Sequence, residues 1–270
     1  MLKPRSKFSH KGQNGKVLII GGSVDCPGSP TFVGMAAMAT IRAGADLVVI
    51  AAPEKVAWAV NCIAPDLITR KIKGDNFSQK NVSEVLKLCK WADVIAVGNG
   101  VAFTKGAKEF MQKTINGIVK LGKPLVIDAA ALRVVKIQEL KSAVLLPHEG
   151  ELSELLKNSK LTHKSVQKNL GTNILVMKGH PRTIILSKTK KAINLTGNAG
   201  MTHGGTGDVL CGIVAGLIAQ GNDLFESAKI GTYVNGKAAD LLLKKMGLGY
   251  IASDLIDEIP LILKPMQRIK

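Results

Sequence analysis

A glycine-rich segment in the last third of the chain, residues 197–208, has the composition of an anion-binding loop. It reads GNAGMTHGGTGD and runs directly into an apolar stretch with helical periodicity. Glycines permit positive φ angles and leave their backbone N–H groups uncovered, so such a loop can wrap around an anion. The N-terminus of the following helix adds unpaired N–H groups and the positive end of the helix dipole. The segment therefore predicts a phosphate site.

Asp208 ends this segment, at a position where a carboxylate would repel a bound phosphate. A negative charge there is expected to have a chemical role, such as holding a hydroxyl group and accepting its proton. The alternative is an ordinary glycine turn in which Asp208 only caps the helix. The segment is not a P-loop, because no Lys-Ser or Lys-Thr pair follows the glycines. It is not the GxGxxG fingerprint either, because that motif follows an N-terminal strand.

Four further segments follow predicted strands, at the sheet edge where α/β proteins bind ligands. The segments are residues 21–30, 98–100, 147–151 and 178–182, and they follow the strand patterns Lys16–Ile20, Val94–Val97, Ala143–Leu146 and Ile174–Met177. The last segment reads KGHPR and offers two cations, Lys178 and Arg182, for nucleotide phosphates. Each segment alone is compatible with a simple turn, but their convergence on one edge indicates a ligand site.

Strand patterns alternate with helical patterns along the first two thirds of the chain. Two more strands are predicted at Leu47–Ala51 and Leu125–Ile127, and the intervening helices are Thr31–Ala43, Ser83–Trp91, Ala107–Lys120 and Glu151–Lys157. Several strand patterns are apolar throughout, which is typical of a parallel sheet covered on both faces. The alternation predicts an α/β fold with right-handed crossovers around a mostly parallel sheet. Two adjacent patterns, Thr183–Leu186 and Ala192–Leu195, favour an antiparallel hairpin at one edge.

The last part of the chain is predicted to be helical, starting at Thr206. One face of the first of these helices carries only small residues, and we expect it to let the helix sit tightly on the sheet: Gly212, Ala215, Gly216 and Ala219. The patterns Phe225–Lys245 and Ser253–Leu263 complete this region, with Ser253 as the expected N-cap. No repeat, low-complexity tract or linker interrupts the sequence. Residues 1–270 are therefore predicted to form a single domain.

The chain is strongly basic, with 37 lysines and arginines against 20 aspartates and glutamates and a formal net charge of +17. A basic surface can indicate a nucleic-acid partner. The lysines are spread along the chain, however, and aromatic residues make up only 4%, which leaves few platforms for stacking bases. We therefore expect no nucleic-acid partner, and a surface that favours anionic small molecules.

The four cysteines form no CxxC pair and no metal-finger spacing, so they indicate a reducing compartment rather than a disulfide framework. The N-terminal residues are basic and polar and lack the apolar core of a secretory signal. Apolar runs stop well short of the ~20 residues that a membrane helix requires. The sequence thus predicts a soluble, cytoplasmic protein with no membrane partner.

Taken together, the motifs resemble the NAD(P)H-hydrate dehydratase family of ribokinase-like enzymes. The similarity runs from about Lys11 to Pro260 and rests on KGQNGKVLIIGGS, GNG, VIDAAAL, LLPHEGE, KG and GNAGMTHGGTGDVLCGIVAGLIAQG. The GTGD stretch is shared with other ribokinase-like enzymes, whereas its combination with PHxGE and KG is much more specific. The resemblance implies a ribokinase-like α/β fold, consistent with the predicted parallel sheet.

The resemblance also implies an activity. The substrate would be the 6-hydroxylated, hydrated form of NADH or NADPH, which ADP or ATP phosphorylates with Mg²⁺ before phosphate leaves and the dihydronicotinamide is restored. Asp208 would be the catalytic base and would contact the hydrate together with Ser29, Gly100 and His148. The implied nucleotide contacts are Lys178, Gly179, His180, Pro181, Arg182, Gly205, Thr206 and Gly207. No residue is assigned as a metal ligand, because the ion would travel with the nucleotide, and a homo-oligomer is expected.

The sequence departs from the family pattern at several positions. The loop motif GxPG is here residues 197–200 without the proline, and ATGGTGD reads THGGTGD, which introduces His203. The family motifs PHPGE, GPG and DAD read PHEGE, GNG and DAA, so that Asn99 replaces a proline, and Ser29 stands where alanine is usual. Asp208 and the loop glycines are retained, so we expect the chemistry to be intact.

Two other functions are compatible with parts of the sequence. A small-molecule kinase of the same fold, acting on a vitamin precursor alcohol, would use the GTGD motif identically up to phosphoryl transfer. The PHxGE and KG context favours the dehydratase over this kinase. A nucleic-acid-binding protein would exploit the net charge, but the sequence contains no recognisable recognition motif of that class.

Overall fold

A twisted sheet of nine strands forms the centre of the molecule in the computed structural model, which describes residues 2–270. The strands are β1 (Lys16–Ile20), β2 (Leu47–Pro53), β3 (Ile68–Ile72), β4 (Val94–Val97), β5 (Leu125–Ile127), β6 (Ala143–Leu145), β7 (Ile174–Met177), β8 (Thr183–Leu186) and β9 (Lys191–Asn194). Their spatial order is β3-β2-β1-β4-β5-β6-β7-β8-β9. The strands from β1 to β7 pair in parallel, and β8 and β9 add an antiparallel hairpin at one edge. The predicted α/β class with an edge hairpin is confirmed.

Helices cover both faces of the sheet. They are α1 (Ser29–Arg42), α2 (Glu54–Ile63), α3 (Val82–Trp91), α4 (Lys105–Lys120), α5 (Glu149–Ser159), α6 (Thr206–Ala219), α7 (Leu224–Met246) and α8 (Asp254–Leu263). One apolar core lies between the sheet and α3, α4 and α5. A second core lies between the other face and α1, α2, α6 and α7, and a third packs α8 against the outside of this helical layer. Among residues 2–270, no helix combines the length and the apolar character that crossing a bilayer requires.

The element α2 and the strand β3 were not predicted. The β3 sequence ITRKI buries Thr69 and Ile72 and leaves the other three residues exposed, because β3 is the edge strand opposite the hairpin. An edge strand has little apolar surface to bury, so its sequence lacks the continuous apolar run that identifies the inner strands. One helix-end expectation also differs: Ser253 occupies the start of α8 but its side chain caps nothing, and Asp254 instead accepts a hydrogen bond from the Ile251 N–H at 2.8 Å.

Two of the four small residues of α6 pack differently from the prediction, whereas Ala215 and Ala219 lie on the sheet side. Gly212 and Gly216 face α1 rather than the sheet. A methyl group on Gly212 would overlap the carbonyl oxygen of Ala36, and one on Gly216 would lie 2.8 Å from the carbonyl oxygen of Thr40. The Thr40 hydroxyl also donates a hydrogen bond to the Gly212 carbonyl oxygen at 3.0 Å. The predicted close approach is therefore real for the two glycines, but its partner is helix α1, because larger apolar residues of α6 cover the sheet.

Gly212→Ala is expected to destabilise the protein, although alanine is preferred over glycine in a helix interior by about 1 kcal/mol. The new methyl group would overlap the Ala36 carbonyl oxygen and lie 2.9 Å from Ala39 Cβ, so α1 and α6 would have to separate. Overpacking of this kind typically costs ~1–3 kcal/mol. Urea denaturation measures the change in the free energy of unfolding.

Gly34→Ala in α1 is the matched control, because the nearest atom to its added methyl group is Leu67 Cδ1 at 3.9 Å. That variant is expected to gain about 0.5–1 kcal/mol from helix propensity and reduced freedom of the unfolded chain. Equal stabilisation by both substitutions would show that the α1–α6 contact is not tight.

Candidate active site

The carboxyl ends of the inner parallel strands lie at one edge of the sheet, and the predicted site segments follow them there. The Gly22 N–H donates to the Asn99 carbonyl oxygen at 2.9 Å, which joins the segment after β1 to the segment after β4. The Lys178 N–H donates to the Pro147 carbonyl oxygen at 2.9 Å, which joins the segments after β7 and β6. The helix α6 begins at the same edge with Thr206, directly after the glycine loop. The predicted convergence of these segments is observed.

Two glycines of the loop are required for different physical reasons. Gly205 is the N-cap of α6 and has a φ of +100°, a conformation that L side chains rarely adopt. Gly207 lies in the first turn of α6, and a methyl group there would lie 3.2 Å from Lys178 Nζ. Since the first N–H groups of a helix have no partner within the helix, the Gly207 position brings bare N–H groups and an ammonium group together. This is the arrangement that an anion hole requires.

Lys178 forms an ion pair with Asp128 at the end of β5. The distance from Lys178 Nζ to Asp128 Oδ1 is 2.9 Å, and Asp128 is only 3% exposed. Burial lowers the pKa of Lys178, but the charges of Asp128, Glu151 and Asp208 outweigh burial, so its pKa is raised. The ammonium group is therefore retained as a positive charge beside the first turn of α6.

Asp208 lies on the first turn of α6, and its side chain is half-buried. Its Oδ1 accepts a hydrogen bond from Asn99 Nδ2 at 2.7 Å. Burial and the nearby negative charge of Asp128 raise the pKa of Asp208 to about 7, against the lowering effects of the Asn99 hydrogen bond and the Lys178 charge. A carboxyl group with a pKa near neutrality is suited to accept a proton from a substrate and to release it again.

A cavity of about 560 Å³ opens beside Lys178 and the glycine loop. Of the predicted nucleotide contacts, the cavity is lined by Lys178, Gly179, His180, Pro181, Gly205, Thr206 and Gly207. The opposite wall comes from the edge hairpin and α7, with Thr183, Asn194, Asn235 and Gly236. Arg182 is exposed immediately before β8, outside this lining. The cavity thus extends from the glycine loop along the antiparallel edge of the sheet.

The residues predicted to contact the hydrate occupy two places. Ser29 is fully buried, and its hydroxyl donates to the Ser23 carbonyl oxygen at 2.7 Å, so that hydroxyl is engaged within its own loop. Gly100 is adjacent, because a methyl group on it would lie 2.8 Å from Ser29 Cβ. His148 lies instead at the cavity, where its Nδ1 accepts the N–H of Gly150 at 3.1 Å and caps α5. Their contact with a ligand stays a prediction.

Sequence reasoning did not assign a role to three residues at this edge: Asn99, Asp128 and Asn235. Asn99 bonds the Asp208 carboxyl group, Asp128 pairs with Lys178, and Asn235 lines the cavity while its Nδ2 donates to the Thr206 carbonyl oxygen at 3.3 Å. Asp128 directly follows the apolar strand pattern of β5, and a carboxylate at that position is a usable signal. The roles of Asn99 and Asn235 depend on contacts between distant parts of the chain, which the local pattern does not reveal.

Comparison with known proteins gives a consistent family. A family model described as NAD(P)H-hydrate dehydratase matches residues 17–261. A bifunctional NAD(P)H-hydrate repair enzyme of Methanothermobacter thermautotrophicus is 36% identical over 274 residues, which cover 97% of this chain and 52% of that protein. The chain spans about half the length of this relative. An ADP-dependent (S)-NAD(P)H-hydrate dehydratase of Natrialba magadii is 30% identical, and the match covers 92% of each chain.

Solved structures share the architecture. A ribokinase-like superfamily protein of Enterococcus faecalis matches with a TM-score of 0.84 at 24% identity, covering 99% of this chain and 93% of that one. An ADP/ATP-dependent NAD(P)H-hydrate dehydratase of Bacillus subtilis, co-crystallised with ATP and Mg²⁺, matches with a TM-score of 0.78 at 23% identity, covering 98% and 94%. At these identities the likeness concerns the fold, and it confirms the predicted ribokinase-like architecture.

The family model spans most of the sequence, and relatives at 30% identity or more align over nearly all of it. The chain therefore belongs to the NAD(P)H-hydrate dehydratase family.

Proposed function

We propose that the chain dehydrates the hydrated forms of NADH and NADPH, with ADP or ATP as phosphoryl donor. The observation that carries this proposal is the placement of Asp208, a half-buried carboxyl group with a pKa of about 7, on the first turn of the helix that follows the glycine loop. Family membership and the name of the Natrialba magadii relative support the substrate and the donor. The position of Asp208 at the start of α6 supports phosphorylation of a hydroxyl group as the first step.

The nucleotide is proposed to lie in the 560 Å³ cavity, with its terminal phosphate at the start of α6. There Gly205, Thr206 and Gly207 would contribute backbone N–H groups and Lys178 an ammonium group, while Gly179, His180 and Pro181 line the same wall. Arg182 is exposed next to this wall and would add a positive charge at the rim. The groups around the proposed phosphate position are thus donors and cations, apart from the two carboxylates of Asp128 and Asp208.

Mg²⁺ fits this site as an ion carried by the nucleotide. Within the part of the chain that the structure describes, residues 2–270, no cluster of three or more His, Cys, Asp or Glu side chains could hold a metal ion. Mg²⁺ commonly binds through substrate phosphates and water with one or two carboxylates, so a protein cage is not needed. When bound, the ion would neutralise charge that develops on the transferred phosphoryl group.

The proposed first step is phosphorylation of the hydroxyl group on the hydrated nicotinamide ring. The hydroxyl oxygen forms a bond to the terminal phosphorus, the bond from that phosphorus to the donor's bridging oxygen breaks, and Asp208 accepts the hydroxyl proton. AMP leaves if ADP is the donor, and ADP leaves if ATP is the donor. Lys178 and the N–H groups of α6 stabilise the charge on the phosphoryl oxygens.

The second step is elimination. The C–O bond breaks with its electron pair on the phosphate, and loss of a proton from the neighbouring ring carbon restores the double bond of the dihydronicotinamide. Phosphorylation makes this step possible because phosphate is a far better leaving group than hydroxide. We propose that Ser29 and Gly100 shape the hydrate pocket next to Asp208, and that His148, at the cavity, contacts the part of the hydrate nearest the nucleotide.

We also propose that residues 1–270 act as one dehydratase domain in the cytoplasm, as a homo-oligomer. A single continuous sheet contributes strand ends to the whole site, which supports one domain. The spacing of the four cysteines, with no CxxC pair, supports a reducing compartment. Exposed apolar side chains on and after the edge strand β9, Ile193 and Leu195, offer surface for assembly.

Purified protein supplied with hydrated NADH, Mg²⁺ and ADP or ATP is expected to restore the near-ultraviolet absorbance of the dihydronicotinamide. Asp208→Asn keeps the size of the side chain and removes the proton acceptor, so its turnover is expected to fall by roughly 10²–10⁴. If Asp208 only caps α6, asparagine would serve equally well and turnover would be unchanged. Nucleotide consumption without recovery of absorbance would indicate a kinase instead.

The stability of Asp208→Asn relative to the wild type is expected to increase with rising pH. The pKa of Asp208 is about 7 in the fold against an ordinary value of 3.8, so the fold favours the protonated form. That contribution is fully present below about pH 4 and is lost as the pH rises through about 7. Without nucleotide, the free energy of unfolding of Asp208→Asn minus that of the wild type should therefore grow between about pH 4 and pH 8. Asp66→Asn, at an exposed position, is the control, and a difference for Asp208→Asn that does not change with pH would contradict the raised pKa.

Gly207→Val is expected to abolish stabilisation by nucleotide while the protein still folds. The valine side chain would occupy the space 3.2 Å from Lys178 Nζ and cover the N–H groups that receive phosphate. A ligand present at 100 times its Kd stabilises a native protein by about 2.7 kcal/mol, which is measurable as a rise in Tm with ADP and Mg²⁺. Gly249→Val is the control, because no atom lies within 4 Å of its added Cβ. A normal Tm shift in Gly207→Val would rule out an anion hole at this position.

A further inference from the structure

Asn99 is fully buried at the carboxyl end of β4, and its backbone is fixed from both sides. Its neighbours Gly98 and Gly100 have φ angles of +120° and +63°, and a methyl group on Gly98 would overlap the carbonyl oxygen of Asp128. The Asn99 carbonyl oxygen accepts the Gly22 N–H at 2.9 Å. These contacts hold the segment after β4 in place, and the Asn99 side chain points towards α6.

The side chain of Asn99 bridges two residues of α6. Its Nδ2 donates to Asp208 Oδ1 at 2.7 Å, and its Oδ1 accepts the S–H of Cys211 at 3.5 Å. Burial raises the pKa of Cys211 well above its ordinary value, so the thiol keeps its proton and acts as a donor. A donor at the Oδ1 end sets which end of the amide faces Asp208, because only the NH₂ end can donate to a carboxylate.

We infer that Asn99 is a positioning residue for Asp208: its amide holds one carboxylate oxygen and leaves the other free for the reacting hydroxyl. This inference rests on the proposed function, in which Asp208 accepts the hydroxyl proton. A carboxyl group on a freely rotating side chain would present either oxygen in many directions, whereas one oxygen tied at 2.7 Å restricts the torsion angles of the whole group. The general base is thereby oriented before the substrate binds.

Asn99 also supports the ionised form of Asp208. The groups that face this carboxyl are Asp128 from the end of β5, Lys178 from the end of β7 and Cys211 from α6 itself. Lys178 is already paired with Asp128 at 2.9 Å, so its charge is shared between two carboxylates. A hydrogen bond from a neutral amide favours the charged form of a carboxyl group without adding a charge of its own. Removing that bond should make the base harder to ionise.

The test is the pH dependence of kcat for the wild type and for Asn99→Ala. The base must be ionised, so kcat rises with pH through the pKa of Asp208. Without the amide this rise is expected to move upward by roughly one pH unit, the equivalent of about 1.4 kcal/mol. The loss of activity should then be largest at low pH and should shrink at high pH. At pH values above the shifted pKa, Asp208 is ionised in both proteins. Any loss of kcat that remains there measures the effect of losing the orientation of the carboxyl group.

Asn173→Ala is the matched control. Asn173 is equally buried and uses its whole amide, donating to the carbonyl oxygens of Ile137 and Leu140 at 3.1 Å and accepting the Ala143 N–H at 3.0 Å. It precedes β7 and so lies at the other end of the sheet from Asp208. This variant is expected to lower Tm and to leave the pH profile in place. If Asn99→Ala behaves in the same way, Asn99 is structural and the inference is wrong.

Two further variants keep the outcome decisive. If Asn99→Ala does not fold, Asn99→Asp preserves the shape and places a second carboxyl group beside Asp208, which should move the rise in kcat upward by more than the alanine variant would. In the Asp208→Asn background, Asn99→Ala should cause no further loss, because the group that it positions is gone. An active Asp208→Asn enzyme would overturn the proposed base, whereas an inactive one with an unshifted Asn99→Ala profile would overturn this inference alone.

Discussion

The Lys178 ammonium group lies among carboxylates at the carboxyl edge of the inner strands, where Asp128, Glu151 and Asp208 all act on it, and the electrostatics of the site follow from this balance of charges. Lys178 pairs with Asp128 at 2.9 Å and leaves the half-buried Asp208 without a full counter-charge. Burial and the charge of Asp128 then raise the pKa of Asp208 to about 7, so this carboxyl group is close to its titration point at neutral pH. In the proposed function a nucleotide brings further negative charge to the same place, and the positive end of α6 and a phosphate-bound cation would offset it.

The position of these charges depends on how α6 lies on α1. Gly212 and Gly216 let the two helix backbones approach until the carbonyl oxygens of Ala36 and Thr40 would touch any added side chain. The apolar residues of α6 at the same time cover the sheet, so the helix is held from two directions. A shift of the helix away from α1 would move its first turn, and with it Asp208 and Gly207, relative to Lys178. The contact between α1 and α6 thus sets the distances of Asp208 and Gly207 from Lys178.

The sequence predicted the inner part of this fold well and its edges less well. The apolar runs of β1, β4, β5 and β7 identify buried parallel strands because both faces of these strands are covered, and their bounds agree with the structure. The exposed strand β3 has no such run. Neither β3 nor the helix α2 that precedes it was predicted. Among the site residues, Asp208 and Lys178 belong to local motifs that predict an anion site. Asn99 stands in a motif that reads only as a turn, because its partner is 109 residues away in the sequence.

The two walls of the site come from parts of the sheet with different resistance to local opening. Asp208 lies beside residues that follow β4, β5 and β7, and these strands are paired on both sides and covered by helices on both faces. The far wall of the cavity comes from β8 and β9, and β9 pairs with a single neighbour at the margin of the sheet. In native-state hydrogen exchange, inner strands generally exchange only through global unfolding, whereas marginal strands exchange through cheap local fluctuations. In the proposed function the inner wall of the cavity would therefore stay rigid, and the hairpin would be the wall that adjusts when ADP replaces ATP.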